Sequence, residues 1–369
     1  MIPVNEPRLD GNELAYLTEC IRTGWISSEG PFVEKLEQGI ARLCGRKFGV
    51  AVANGSVALD AAVHAIGIGE GDEVILPTFT IISCAAAIVR AGGVPVVVDS
   101  EPDTWNMDVG QLEAKITPRT KAIMAVHLYG LPVDMDPLLD VARRHGLAVI
   151  EDAAEVLGQT YKSRPCGSFG EISTLSFYPN KHVTTGEGGM VLTDDEQFAE
   201  RCRSLRNLCF QPQRRFVHEE LGFNFRLSNL QAAVGVAQLE RIDESVRRKR
   251  EIGARYQELL RGIASIELPL ERTELAENIY WIFGLVLRDD VPFDAVAAMK
   301  LLGAEGVGTR PFFWPMHEQP VLQRMGWFAG EQYPVAERLA RRGFYIPSGL
   351  GLTDAQIESV AATVRRVLS

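Results

Sequence analysis

The stretch Ser176-Phe177-Tyr178-Pro179-Asn180-Lys181-His182-Val183-Thr184-Thr185-Gly186-Glu187-Gly188-Gly189 decides how the rest of the chain is read. Just before and within it, Ile172, Thr174, Leu175 and Phe177 predict a short strand, and Pro179-Asn180 ends that strand. Lys181 then stands on a tight turn just past the strand end. Three glycines follow within four positions, where something approaches the backbone closely or a helix is not tolerated. An amine fixed in such a place, with apolar residues before it, loses part of its hydration and can act as a nucleophile toward an aldehyde. A solvated loop lysine is the plain alternative, and the neighbouring sequence has to choose between them.

Upstream, strand and helix patterns alternate. Phe48–Ala53 reads as a short buried strand, followed by Asn54-Gly55-Ser56 and a helix from Val57 to Ala65. Strand, glycine turn, hydroxyl and helix together aim backbone N–H groups at an anion. Further strands are predicted at Glu73–Leu76, Val94–Val98, Ala122–Val126 and Ala148–Ile150, with helices at Ile82–Ala91, Val109–Ile116 and Asp136–His145. This alternation predicts a mainly parallel α/β sheet covered on both faces, with ligands at the carboxyl ends of its strands. Glu151-Asp152-Ala153-Ala154-Glu155 lies at one such end. A carboxylate there caps the next helix or, alternatively, pairs with a cationic ring nitrogen. Gly67-Ile68-Gly69-Glu70-Gly71-Asp72 follows a helix and precedes a strand, the reverse of a dinucleotide fingerprint, and reads as a turn.

The flanks add further candidates. A polar helix is expected over Gly11–Thr23, then a loop from Gly24 to Gly30 in which Trp25 faces a ligand or plugs a core gap, then an amphipathic helix over Pro31–Leu43. Gly222–Asn229 leads into a long helix whose Ala232, Ala233, Gly235 and Ala237 suit close packing, between subunits in one reading. Composition changes after about residue 245, where Arg247-Arg248-Lys249-Arg250 opens a charged helix running to Leu260. A strand at Trp281–Leu287 and helices at Phe293–Leu302 and Asp354–Leu368 predict a smaller α+β domain. The expected division is therefore 1–245 and 246–369. The Pro- and aromatic-rich loop Gly308–His317 is placed to close over a ligand.

Bulk properties narrow the function. The 369 residues are 46% hydrophobic with a net charge of −10, enough for a large domain plus a smaller one. The acidic balance (pI about 5.3) and the lack of a basic run argue against nucleic acid as a partner. No stretch reaches the roughly 18 apolar residues of a membrane span, and no signal peptide is apparent at the N-terminus. Six cysteines without CxxC spacing read as reduced, mostly buried residues rather than disulfides or a zinc site. The expectation is a cytoplasmic enzyme without a structural metal.

One requirement unites these signals. Pyridoxal phosphate needs a lysine for its aldehyde, a carboxylate to keep its pyridine nitrogen protonated and an anion cup for its phosphate. Lys181, Asp152 and the Gly55-Ser56 turn supply these parts, each after a strand, and Ser176 adds a hydroxyl.

The chain also resembles the sugar-nucleotide aminotransferases of the DegT/DnrJ/EryC1/StrS family over essentially its whole length. The resemblance is carried by Trp25-Ile26-Ser27-Ser28, Asn54-Gly55-Ser56, Gly71–Val74, Pro118–Ile123, His127–Gly130, Ile150–Glu155, Ser176–Lys181, Thr184–Gly189 and Asn224-Phe225-Arg226. It implies the aspartate-aminotransferase type of fold (fold type I) and a homodimer or tetramer with active sites shared between subunits. Lys181 would hold the cofactor and move the proton. Asp152 would pair with the ring nitrogen and Glu155 would lie near the ring-oxygen side. Gly55, Ser56 and Ser176 would bind the phosphate with Asn224 of a neighbouring subunit. Trp25, Ser27, His182, Glu187, Arg310 and His317 are carried over to the substrate side. The implied donor is L-glutamate and the implied acceptor a nucleotide-linked 4-keto-6-deoxyhexose, for cell-surface polysaccharide synthesis.

Two departures stand out. Ile81 occupies a cofactor-stacking position where an aromatic ring is usual, and Arg206–Pro212 replaces a stretch that is more often glycine-rich. A sugar dehydratase on the same scaffold is disfavoured by the presence of Lys181, and a DNA-binding regulator by the acidic balance.

Overall fold

The computed structural model describes residues 1–211 and 213–369; Pro212, which ends the Arg206–Pro212 departure, lies outside the described residues. A seven-stranded sheet forms from β1 (Phe48–Val52), β2 (Glu73–Pro77), β3 (Val94–Val98), β4 (Thr120–Val126), β5 (Ala148–Asp152), β6 (Ile172–Ser176) and β7 (Gly189–Thr193). Their order is β1-β7-β6-β5-β4-β2-β3. The pairs β2–β3, β2–β4, β4–β5 and β5–β6 are parallel, whereas β7 runs antiparallel to both β6 and β1.

Strand alternation divides the core into two layers. Val50, Val52, Val74, Leu76, Ala122 and Met124 pack with Leu59, Ala62, Cys84 and Ile88 from helices Gly55–Ala65 and Ile82–Arg90. The intervening Ala51, Ile75, Ile123 and Ala125 share the opposite layer with Phe32, Leu36, Ile40, Leu138 and Val141 from helices Pro31–Leu43 and Met135–His145. Both faces of the strands are thus buried, which explains their largely apolar composition.

A second sheet comprises β8 (Ile266–Glu267), β9 (Phe283–Leu287), β10 (Arg310–Pro311) and β11 (Gly343–Ile346), antiparallel in the order β8-β9-β11-β10. Helices Ile242–Leu260, Ala295–Ala304 and Asp354–Leu368 enclose a third core with it, around Tyr256, Phe283, Leu302, Phe344 and Val364. The Ile242–Leu260 helix runs unbroken through positions 245 and 246. Residues at the N-terminus also join this side of the molecule: Ile2 bridges Val307, and Val4 O accepts from Ser348 N.

Several boundaries move for local reasons. The strand expected from Trp281 begins at Phe283, because Tyr280 sits at φ 46° and gives its N–H to Asn278 Oδ1 in a turn. The helix expected from Phe293 starts at Ala295, where Asp294 accepts from Ala297 N. Val109–Ile116 resolves into a 3₁₀ turn, Val109–Gln111, followed by a short helix, Leu112–Lys115. β5 runs on through Glu151 and Asp152, and no helix follows for Asp152 to cap.

Candidate active site

The carboxyl ends of β1, β5 and β6, with the turn after β2, border a cleft of about 700 Å³, within the usual range for small-molecule sites. Gly55, Ser56, Ile81, Asp152, Glu155, Ser176, Lys181 and Glu187 all line it. The parallel sheet explains this convergence: residues scattered over 130 positions each follow a strand pointing the same way.

Lys181 lies five residues beyond the end of β6, with its side chain almost covered. Its Nζ stands 3.9 Å from Glu155 Oε1, whose other oxygen accepts from Tyr129 N at 2.8 Å. The indole of Trp281 covers the amine, with Nζ 3.6 Å from the ring centroid, close enough for cation–π attraction. Burial outweighs the ion pair. It pushes the Lys181 pKa down against the pull of Glu155 and Asp152, and pushes Glu155 up to about 8 despite Lys181.

Asp152 ends β5 with its carboxylate buried. Oδ1 accepts from Ala154 N at 3.1 Å and Oδ2 faces the Cys84 thiol at 3.4 Å. Burial raises its pKa, with Lys181 only partly opposing. A buried carboxylate held by one amide and one weak thiol donor has unused acceptor capacity, and the cleft is the side on which a cationic ring can meet it.

The anion cup is built at the start of the Gly55–Ala65 helix. Asn54 caps it by accepting from Val57 N at 3.0 Å. Ser56 Oγ and Ser83 Oγ lie 2.7 Å apart, and Ser176 completes a trio of hydroxyls around the helix N-terminus. Glycine is required at position 55, since a Cβ there would come within 2.7 Å of Ser176 Cβ. Bare backbone, three hydroxyls, a helix N-terminus, a buried carboxylate and a covered lysine together fit pyridoxal phosphate.

Other expected residues lie elsewhere. His182, expected on the substrate side, is instead buried with Nε2 unpartnered; burial and the nearby Lys249 and Lys181 push its pKa down to about 3. His317, likewise expected there, is buried between Thr78 Oγ1 (2.8 Å) and Glu337 Oε1 (3.1 Å), where it ties the Gly308–His317 loop to the end of β2. Trp25 and Ser27 are exposed, and their carbonyls accept from Asn229 Nδ2 and N. Arg310 is exposed on β10 beside Tyr345. Asn224 is exposed and accepts from Arg226 Nε at 2.9 Å. None of these six lines the cleft of its own chain.

Sequence reading missed Ser83, Trp281 and Tyr345, which line the cleft together with Phe313 of the expected Gly308–His317 loop. Ser83 repeats the strand–turn–hydroxyl pattern of Ser56 and was open to the same reasoning. Trp281 carried no comparable signal, being embedded in an apparent strand. All six cysteines are free and buried. His127, Glu151 and Cys166 converge in the core, but His127 accepts from Val133 N and meets Glu151, which also accepts from Gly167 N, Phe169 N and Ser173 Oγ. Those partners make the cluster a hydrogen-bond network of the core.

A family model described as the DegT/DnrJ/EryC1/StrS aminotransferase family matches residues 7–365. The chain is 43% identical over 367 residues to a GDP-perosamine synthase of Caulobacter vibrioides, spanning 100% of this chain and 98% of that protein. It is 38% identical over 368 residues to the GDP-perosamine synthase of Escherichia coli O157:H7, spanning 100% and 99%. Among solved structures, DesI in the presence of its TDP-sugar product is similar with a TM-score of 0.89 and 32% identity, covering 99% of this chain and 93% of that one.

Proposed function

The chain belongs to the DegT/DnrJ/EryC1/StrS aminotransferase family, and from that premise we propose that it transfers the amino group of L-glutamate to C4 of GDP-4-keto-6-deoxymannose, giving GDP-perosamine. The family's chemistry is pyridoxal phosphate-dependent amination of nucleotide-linked sugars. The observation that carries the reading is the covered Lys181 amine beside two buried carboxylates at a hydroxyl-lined cup. Identity to two GDP-perosamine synthases supports the choice of sugar.

When bound, pyridoxal phosphate supplies an aldehyde that condenses with amines and a protonated ring that accepts the electron pair left when a proton departs the adjoining carbon. The backbone at Gly55, the Ser56, Ser83 and Ser176 hydroxyls and the helix N-terminus would hold its phosphate. Asp152, oriented by Ala154 N and Cys84 Sγ, would keep a proton on the ring nitrogen. Lys181 Nζ would hold the aldehyde carbon; once free, the amine takes a proton from one carbon and the ammonium returns it to another. Burial lowers its pKa against the pull of Glu155 and Asp152, which eases release of the proton it carries. Glu155 stands 3.9 Å from Nζ, while Trp281, Ile81 and Phe313 supply apolar walls of the cleft.

Asn224 and the Trp25–Ser27 loop stand outside their own cleft, which supports a homodimer, or a tetramer of such dimers, in which they serve the partner's site. The same reading divides the chain into a cofactor-binding part, 1–245, and a smaller part, 246–369. It places the enzyme in the cytoplasm, in the synthesis of a cell-surface polysaccharide such as O-antigen.

The test is the visible spectrum of the purified protein with pyridoxal phosphate, before and after L-glutamate, followed by mass analysis of products from GDP-, UDP- and dTDP-linked keto-sugars. A yellow band that bleaches with glutamate, and amination of the GDP-sugar, is expected, with both lost in Lys181→Ala. A band indifferent to glutamate would remove the donor, and amination only of UDP- or dTDP-sugars would remove the proposed acceptor.

A further inference from the structure

Lys249 is a buried amine that the reaction as described does not use. It is 2% exposed, and among the described residues no carboxylate pairs with it. Its Nζ donates instead to two carbonyls, Trp281 O at 2.7 Å and Ser348 O at 2.6 Å. A lysine amine buried without a counter-charge is costly in either protonation state, so its retention points to the geometry it fixes. That geometry is the short connection between Tyr280, held at φ 46°, and the start of β9 at Phe283.

Trp281 is the residue this connection presents to the cleft. Its Nε1 donates to Asn180 O, one residue before Lys181, at 2.9 Å. One indole contact is with the Tyr129 ring, stacked at 5.9 Å, and Tyr129 in turn holds Glu155 through its N–H. Lys181 Nζ thus lies between an aromatic face at 3.6 Å and a carboxylate at 3.9 Å, both anchored by their own hydrogen bonds.

We propose that Trp281 is a positioning residue for Lys181: its face receives the amine whenever that amine is not joined to the cofactor, and Lys249 pins the indole in place. The role rests on the transaminase reading above, in which Lys181 must leave the cofactor, wait with a proton and return it. An aromatic face attracts the ammonium without accepting its proton, so the charge is held without competing for the transfer. A second carboxylate in the same place would hold the proton more tightly and slow its return.

Two readouts test this. In the holoenzyme, exchange of the Cα hydrogen of L-glutamate in D₂O reports the proton transfer. In the apoprotein, acetylation of Lys181 by acetic anhydride, read by peptide mass spectrometry, reports where the amine rests. Trp281→Leu is expected to slow exchange by roughly tenfold at unchanged KM for glutamate and to speed acetylation by about the same factor, as loss of a desolvated cation–π contact implies. Trp281→Phe restores both toward wild type, and Lys249→Met shifts both in the direction of Trp281→Leu. Unchanged exchange and acetylation in Trp281→Leu, or a phenylalanine variant no better than leucine, overturns the proposal. Should Trp281→Leu fail to fold, Lys249→Met decides, since wild-type values there overturn the pin. A wild-type holoenzyme that exchanges no glutamate hydrogen would sink the proposed donor instead, leaving acetylation to judge Trp281.

Discussion

The Cys84 thiol stands 3.4 Å from Oδ2 of Asp152, making a sulfur the side-chain donor to the carboxylate placed for the cofactor ring. Burial keeps that thiol protonated, well above its ordinary range, with Asp152 adding to the effect. A hydroxyl is a shorter and stronger donor than a thiol. Cys84→Ser is therefore expected to tighten cofactor binding, and Cys84→Ala to weaken it by about 0.5–1.5 kcal/mol, the net contribution of one hydrogen bond. Titrating apoprotein with pyridoxal phosphate at its visible band measures both. Equal affinities in all three proteins would mean that Cys84 only fills space.

Gly55→Ala places a methyl group 2.7 Å from Ser176 Cβ and 3.1 Å from its Oγ. The overpacking costs about 1–3 kcal/mol in the apoprotein, readable by urea denaturation. Because the methyl intrudes on the phosphate cup, affinity for pyridoxal phosphate should fall much more than affinity for pyridoxal, which has no phosphate. A parallel loss for the two ligands would place the phosphate elsewhere.

Ile81 is 41% exposed at the cleft, a branched aliphatic chain where a flat surface would meet a ring better. Ile81→Phe is expected to strengthen cofactor binding by about 0.5–1.5 kcal/mol through ring stacking. The check is the dissociation constant from the same visible titration. A weaker binder would show that the ring stands on another wall.

Lys249 gives the fold a pH dependence of definite sign. Burial lowers its pKa from 10.5 to about 7, with Lys181 contributing. Between those values the unfolded chain binds the proton that the folded one has released, so stability rises with pH by up to about 1.4 kcal/mol per unit. Lys249→Met removes that slope. Urea unfolding at pH 7 and pH 9 should show the wild type gaining on the variant as pH rises, and a constant difference would mean that Lys249 stays charged in the fold.

The sequence by itself determined the alternation of buried strands and helices, and with it the convergence of Gly55, Ser56, Asp152, Ser176 and Lys181. Each of these follows or ends a short apolar strand, and in a parallel sheet such positions share one edge whatever the strand order. Local signals suffice for that, because strand period, glycine turns and caps are written over a few residues.

The tertiary structure alone decided the rest. The run Gly189-Met190-Val191-Leu192-Thr193 folds as β7, between β1 and β6 and opposed to both, a pairing that depends on partners up to 145 positions away. His182, next to Lys181, and His317, four residues after Phe313, turn into the core, because the side of the chain that faces solvent is set by what packs against it. Trp281 and Lys249 come from the far half of the chain, and no local period marks either one. Their places follow from docking the second sheet on the first, where burial of many distant apolar groups outweighs the cost of burying one lysine amine.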